Sequence, residues 1–438
     1  MNNNYWNKTI ETMPREQLEK MQAERLKRTV ELIYTRVPYY RNKMQDAGLL
    51  PGDIKTVSDI IKLPFTYKDD LRETYPFGMF AAPMEDIIRL QATSGTTGKQ
   101  TVVGHTGRDI EIWSECMARC LVMAGQDKNS RIQVSYGYGL FTGGLGAHYG
   151  TERIGATVIP TSGGNTKRQI TILKDFGTTA LCCSPSYAVH IAETLPEMGV
   201  SKDDLKLTAG IFGSESWTQA MRIKLEDMLG IKAFDIFGSA ETMGPAVSQE
   251  CIYQNGLHIW EDCFIAEIID PETGSPLPYG ETGELVITTI NKDGMPLLRY
   301  RTRDISSLDI SPCECGRTHI KMARLTGRSD DMIIIRGVNV FPSQIESVLL
   351  EMGETSPHYQ IILERRGALD SMTVEIEVSD TMFSDEVKHL ERLERNIRER
   401  LESALSISCG IKLVEPKTIT RSEGKAKRVI DKRLDGGD

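Results

Sequence analysis

Residues 232–241 read KAFDIFGSAE: the apolar run Ala233, Phe234, Ile236 and Phe237, broken by one acid and closed by Gly-Ser. A short apolar run ended by a glycine turn predicts a buried strand. The same theme stands at 207–215 (LTAGIFGSE), and related runs stand at 130–140 (SRIQVSYGYGL), 155–164 (GATVIPTSGG) and 178–185 (TTALCCSP). Helix-like stretches lie between them. Strands alternating with helices predict an α/β fold whose mostly parallel sheet is covered by helices, with ligand sites at the strand C-terminal ends. The turns after these runs are therefore the candidate site.

Outward from that sheet, the chain changes character twice. Residues 16–37 carry Leu18, Met21, Leu26, Val30, Ile33 and Val37 at helical spacing up to Pro38, which predicts an amphipathic helix. Between 258 and 310, CFIAEIID and GELVITTI flank the turn-rich PETGSPLPYGETG, which predicts a β-rich subdomain. After 327 a helix at 343–352, a strand at MTVEIEV, a charged helix at 384–405 and a basic tail predict a separate small α/β domain. With 438 residues, the chain exceeds what one core supports.

The net charge of −9 argues against nucleic acid as the partner, even for the tail residues Lys417, Arg421, Lys425, Lys427, Arg428, Lys432 and Arg433. No run approaches the roughly 18 apolar residues of a membrane span, and the N-terminal stretch has no apolar signal region. A cytoplasmic protein with reduced thiols is expected. Cys116, Cys120, Cys182 and Cys183 sit in apolar helix or strand patterns and read as small buried hydrophobes.

A second stretch carries chemistry. QATSGTTGKQTVVGHT, residues 91–106, crowds hydroxyls, glycines and one lysine. It is not a Walker A loop: Gly95 and Gly98 are separated by two residues and Gln100 stands where Ser or Thr would follow the lysine. Backbone N–H groups, hydroxyls and one cation can still hold phosphate oxygens. A solvated flexible loop is the plain alternative.

These segments together resemble the AMP-forming acyl-adenylate ligase superfamily, and within it the phenylacetate–CoA ligase branch. The resemblance runs in order through TSGTTGK (93–99), DIFGSAET (235–242), LRYRTRDISSL (298–308), TGRSDDMIIIRGVNVFPSQIE (326–346) and RSEGKAKRV (421–429). VPYYRNKM, SYGYGLFTGGLGAHYG and IFGSESW match the branch in detail.

The resemblance implies two domains, residues 1–329 and a mobile 330–438 hinged at Asp330. It also implies a nucleotide site. Thr93, Ser94, Gly95, Thr96, Thr97, Gly98 and Lys99 would hold the pyrophosphate side of ATP, and Thr242 the α-phosphate. Glu241 would ligate Mg²⁺, a hard cation suited to carboxylate oxygen. Asp304 would accept the ribose hydroxyls, while Ser214, Glu215, Asp235, Phe237 and Gly238 frame the adenine and Arg328 completes the site. Lys425 would neutralise charge during adenylation.

Plainer readings exist for each. Asp304 could pair with Arg299, Arg301 or Arg303, Glu241 could be a helix-start carboxylate, and Lys425 a surface lysine. The superfamily usually has glycine where Arg303 stands.

For the acyl group, SYGYGLFTGGLGAHYG (135–150) offers Tyr136, Tyr138 and Phe141 as aromatic walls, with Ser239 and Ala240 beside them. The implied activity is ligation of phenylacetate to coenzyme A through an acyl adenylate. Another aryl acid, a carrier-protein thiol as acceptor, or a non-catalytic adenylate-binding protein are the alternatives. The branch also implies a homodimer.

One cluster lies outside that chemistry. Cys251 and His258 form a Cys-x₆-His pair, and Cys313 and Cys315 flank one residue before Gly316. Four N/S ligands with no free position suit a closed structural zinc site, with Cys263 and His319 as reserve ligands. Free cytosolic thiols are the alternative.

Overall fold

In the computed structural model, which describes residues 4–93, 100–329, 333–335, 338–352, 357–366, 369–378, 387–405, 407–421 and 428–433, Ala180–Cys183 and Ala209–Gly213 are buried at every position. Strands covered on both faces need that continuous apolar reading. Contacts group the chain into two compact units.

The first unit comprises Met1–Cys183, Asp203–Ser214 and Ile231–Arg324. Its strands are β1 Ile87–Ala92, β2 Val102–Thr106, β3 Arg131–Val134, β4 Thr157–Ile159, β5 Ala180–Cys183, β6 Ala209–Gly213 and β7 Lys232–Ser239. They continue as β8 Gly244–Glu250, β9 Leu257–Ile259, β10 Phe264–Ile269, β11 Gly283–Thr289, β12 Tyr300–Ser306, β13 Leu308–Asp309 and β14 Lys321–Met322. The expected parallel sheet is present in the order β4-β3-β5-β6-β7. It is longer than expected: β8, β9, β14 and β13 extend it antiparallel from β7. Strands β10, β11 and β12 pair antiparallel in turn, which is the predicted β-rich subdomain.

Helices α1 Lys8–Glu11, α2 Arg15–Arg36, α3 Pro38–Asp46, α4 Lys68–Glu73, α5 Gly107–Met123, α6 Thr142–Arg153 and α7 Thr166–Asp175 belong to this unit. The stripe predicted for α2 is core: Leu18, Leu26, Val30 and Ile33 are fully buried, and Pro38 starts α3. Helix α5 begins on a reciprocal cap. The Thr106 hydroxyl accepts from the Asp109 N–H at 3.2 Å and the Asp109 carboxylate accepts from the Thr106 N–H at 2.9 Å, a motif that contributes about 1 kcal/mol. The cysteines read as hydrophobes are buried in α5 and β5.

The second unit comprises Ser184–Lys202, Glu215–Gly230 and Leu325–Asp438. Helices α8 Pro185–Thr194 and α9 Gln219–Leu229 join it, although the sequence reading counts their residues with the N-terminal domain. It continues through β15 Gly327–Arg328, the hairpin β16 Ile333–Ile335 and β17 Val338–Val340, α10 Pro342–Glu351, β18 Tyr359–Arg366, β19 Leu369–Glu377, α11 Val387–Leu405, β20 Gly410–Val414 and β21 Val429–Asp431. The sheet runs β20-β19-β18-β21, and Ile345, Leu349, Ile361, Val374, Ile397 and Leu401 form its core. The predicted helices and strand of this region correspond to α10, α11 and β19.

Candidate functional site

The candidate site in the first unit is built on the end of β7. Gly238 is required there by a close approach: a Cβ on it would meet the Gly244 carbonyl at 2.0 Å. Strands β7 and β8 shift register at this point, Ser239 pairing with Gly244. The tight turn between them carries Glu241 and Thr242. Thr242 is fixed from below, its N–H donating to the Ser239 hydroxyl at 3.3 Å and the two hydroxyls lying 2.9 Å apart. The Glu241 carboxylate is 5 % exposed and faces the Lys68 ammonium at 3.4 Å. Lys68, on α4, is a cation that no sequence motif nominated, since it lies far from the turn along the chain.

Upstream on β7, Asp235 is committed to Arg324, whose Nε lies 3.2 Å from its carboxylate, and Phe237 is buried. Ser214 follows β6 with φ at +71°, a left-handed turn that exposes it. Ser239 and Ala240 are half-buried on the same turn as Glu241.

Asp304 on β12 is buried, and its N–H donates to the Thr302 hydroxyl at 3.1 Å. The arginines proposed as its partners face glutamates instead. Arg299 pairs with Glu267 at 2.8 Å, Arg301 with Glu284 at 2.5 Å, and Arg303 lies 3.8 Å from Glu284. Arg303 has φ at +67°, a conformation easy for glycine and costly for a residue bearing a Cβ. That is the physical reason a glycine suits this position. Here the Arg303 N–H is held by Glu284 at 3.2 Å.

Strands β1 and β2 form the antiparallel stem of the hydroxyl-rich loop, and Thr93 and Thr101 close it with hydroxyls 2.8 Å apart. Ser94, Gly95, Thr96, Thr97, Gly98 and Lys99 lie outside the described residues, as do Asp330 and Lys425. Glu215 and Arg328 belong to the second unit. There the Glu215 carboxylate accepts from the Ser186 N–H at 2.7 Å, at the start of α8, where the helix dipole favours an anion.

The Gly-rich segment divides its labour. Tyr136 and Tyr138 are half-buried, the Tyr138 hydroxyl lying 3.2 Å from His148 Nδ1, while Phe141 is 51 % exposed. Burial pushes the Tyr138 hydroxyl upward, so it stays protonated. At two positions the glycines of this segment serve helix packing. A Cβ at Gly146 would strike Trp113 and Pro245, and one at Gly150 would strike Met117. They let α6 pack closely on α5.

The described residues also contain a second constellation. Cys251 leaves β8, His258 lies in β9 opposite Lys321 of β14, and Cys313 and Cys315 stand on the loop between β13 and β14. All four are buried, and their ligand atoms lie within 4.8 Å of one another. The sulfurs of Cys251 and Cys313 are 3.6 Å apart, and His258 Nε2 is 3.3 Å from the sulfur of Cys315. Tetrahedral zinc with S and N bonds of about 2.3 and 2.0 Å has ligand–ligand edges of roughly 3.8 and 3.5 Å. The donor set therefore fits that ion. Hydrogen bonds from Cys251 and Cys313 drive Cys315 toward the thiolate, while Cys251 is driven toward the thiol by Cys313 and Cys315. Burial opposes charge on His258, yet its bonds to Cys313 and Cys315 outweigh this and raise it to about 9.

The reserve ligands are elsewhere. Cys263 faces Cys116 at 3.7 Å, and the His319 ring accepts the Glu261 N–H at 2.9 Å and meets the Ile10 carbonyl at 3.0 Å. Their sequence proximity to the cluster misleads, because each meets these other partners instead.

Residues 14–291 match the family described as AMP-binding enzyme, and residues 337–433 match the AMP-binding enzyme C-terminal domain. The chain is 46% identical to the phenylacetate-coenzyme A ligase of Thermus thermophilus, covering 97% of this chain and 98% of that one. It is 47% identical to the Escherichia coli phenylacetate-coenzyme A ligase, covering 97% of each. Among solved structures, a 2-hydroxyisobutyryl-CoA ligase in the postadenylation state with R3-HIB-AMP is similar at a TM-score of 0.93 and 28% identity, over 98% of this chain and 93% of that one.

Proposed function

This chain belongs to the AMP-binding enzyme family, and from that premise we propose that it joins phenylacetate to coenzyme A in two steps. A carboxylate is a poor acyl donor because its leaving group would be oxide. In the first step the phenylacetate oxygen attacks the α-phosphorus of ATP, the bond to the β-phosphate breaks, and pyrophosphate leaves. In the second, the coenzyme A sulfur attacks the acyl carbon, the thiol proton is lost, and AMP departs with the C–O electron pair. The observation that carries this reading is near-full-length identity of 46% and 47% to two phenylacetate-coenzyme A ligases.

Such chemistry is mostly positioning and charge stabilisation. The fixed turn of Glu241 and Thr242 supports their assignment to the metal-bound nucleotide and the α-phosphate, and buried Asp304 suits the ribose. The hydroxyl-rich loop 93–99 would take the pyrophosphate side. Ser214, Glu215, Asp235, Phe237, Gly238 and Arg328 complete the proposed nucleotide site, though Glu215 and Asp235 already serve Ser186 and Arg324. Tyr136, Tyr138 and Phe141, with Ser239 and Ala240, would receive the aryl group. A magnesium ion would neutralise phosphate charge. Lys425, carried by a domain turning about Asp330, would act in adenylation alone.

The four-ligand cluster supports a closed structural zinc, and the His258 Nδ1 contact with the His319 carbonyl fixes the ring so that Nε2 faces the cluster. The homodimer rests on the branch resemblance; among the described residues, no helix is long and apolar enough to cross a membrane. Acid-dependent pyrophosphate release across aryl and fatty acids, with and without coenzyme A, tests the reading. Release with benzoate or indoleacetate exceeding that with phenylacetate would change the acid, and acyl transfer only to a carrier-protein thiol would change the acceptor.

A further inference from the structure

Lys292 is a lysine almost without solvent contact, 2 % exposed, in the turn that follows β11. Its ammonium donates to two successive main-chain carbonyls, of Glu241 at 3.3 Å and Thr242 at 2.9 Å. Those carbonyls belong to the turn on which the proposed metal and α-phosphate contacts stand. The N–H groups of the same two peptides go the other way: Thr242 donates to the Ser239 hydroxyl and Met243 to the Ser239 carbonyl at 3.2 Å. The turn is gripped on one side by its own hydrogen bonds and on the other by one cation.

The lysine is itself anchored. Asp109, fully buried in the first turn of α5, accepts from the N–H groups of Asp293 at 2.7 Å and Gly294 at 2.8 Å. Gly294 is needed for this approach, since a Cβ there would meet the Gly104 carbonyl at 2.6 Å and the Asp109 carboxylate at 2.8 Å. The chain from α5 to the Glu241–Thr242 turn is therefore continuous, and Lys292 is its last link.

We infer that Lys292 is a positioning residue for adenylation: by holding the Glu241 and Thr242 carbonyls it aims their side chains at the nucleotide. This rests on the function proposed above. A merely stabilising contact would not need a charge, and burying an ammonium is costly unless it is well solvated by dipoles and carboxylates. The charged and titratable groups around it are Asp109 from α5, Glu241 on the turn, and His105 from β2, with Arg89 of β1 beyond His105. Burial, Lys292 and Arg89 keep His105 neutral, stacked on Trp113 at 5.5 Å, and among the described residues neither of its ring nitrogens has a hydrogen-bond partner. Burial lowers Lys292 to about 8, against the opposing pull of Asp109 and Glu241.

The experiment compares wild type, Lys292→Met and Lys292→Arg in phenylacetate-dependent pyrophosphate–ATP exchange, and separately in thiolysis of supplied phenylacetyl-AMP by coenzyme A. Lys292→Met should lower kcat/KM for exchange by on the order of a hundredfold, the scale of a misplaced reacting group, and leave thiolysis within a few-fold. Lys292→Arg, which keeps a cation at this position, should restore most of the exchange that Lys292→Met loses. A folded Lys292→Met with unchanged exchange, an equal fall in both half-reactions, or a folded Lys292→Arg no better than Lys292→Met would each overturn the inference. If Lys292→Met does not fold, Lys292→Gln, which keeps a hydrogen-bond donor without the charge, takes its place. Wild type without any acid-dependent exchange would overturn the functional reading, and this inference with it.

Discussion

His258 holds its Nε2 3.3 Å from the sulfur of Cys315 while its Nδ1 lies 3.1 Å from the carbonyl of His319. An imidazole pinned at one nitrogen presents the lone pair of the other in a fixed direction, which is how metal-binding histidines are oriented. Purified without chelator, the protein should hold about one zinc per chain, and should release it as pH falls and the thiolates protonate. Metal analysis checks this; a protein lacking stoichiometric zinc contradicts it.

Replacing both Cys313 and Cys315 by serine should then lower Tm by roughly 5 °C or more, the scale of losing a few kcal/mol in a large domain. Adenylation should stay within a few-fold of wild type, because the cluster lies outside the nucleotide chemistry. Thermal unfolding and exchange assays on one preparation would expose the opposite pattern.

Arg303 gives a cleaner stability test. With φ at +67° it strains any residue bearing a Cβ, by about 1–2 kcal/mol. Both Arg303→Gly and Arg303→Ala remove the guanidinium, so the glycine variant should be the more stable of the two by about 1 kcal/mol. Denaturant midpoints with equal slopes would measure the difference.

The buried pair of Arg119 and Asp262, with Nη1 and Oδ1 2.7 Å apart, sets an acid limit. Burial pushes Asp262 upward, but the charge and hydrogen bonds of Arg119 outweigh it and hold the carboxyl at about 2. A depressed carboxyl stabilises the fold above its unfolded value, near 3.9. That contribution is lost as pH falls from about 4 through about 2. Asp262→Asn, which leaves buried Arg119 only the Glu115 carboxylate 3.5 Å from its Nε, should cost about 3 kcal/mol at neutral pH, as read by chemical unfolding.

Much of this was legible before any coordinates. Ala180–Cys183 declares itself because a strand buried on both faces must be apolar throughout, Lys232–Ser239 by an apolar run broken only at Asp235, and the four metal-ligand candidates by the right chemistry in two short segments. Other features depend on long-range geometry. Strands β13 and β14 are two residues each and carry no period. Lys68 and Lys292 look like ordinary lysines until folding brings one to the Glu241 carboxylate and the other to its carbonyl. The roles of Gly146 and Gly150 follow from Trp113 and Met117, which are distant in sequence.

Aryl preference follows from Tyr136 and Tyr138 if they line the acyl pocket. Phenylacetate should give a higher kcat/KM for adenylation than hexanoate or longer acids, by on the order of tenfold or more, since each poorly matched methylene is worth ~1–3 kcal/mol. A fatty acid that outperforms phenylacetate would remove the aryl assignment and leave the ligase chemistry intact.

The central claim is that phenylacetate is activated as an adenylate before any thiol is present. Its most direct measurement is exchange of labelled pyrophosphate into ATP with phenylacetate and Mg²⁺ but no coenzyme A. The account predicts exchange that requires the acid, falls by on the order of a hundredfold or more in Lys425→Ala, and is far less affected in Lys427→Ala. Exchange that ignores the acid, or that appears only once coenzyme A is added, would contradict it.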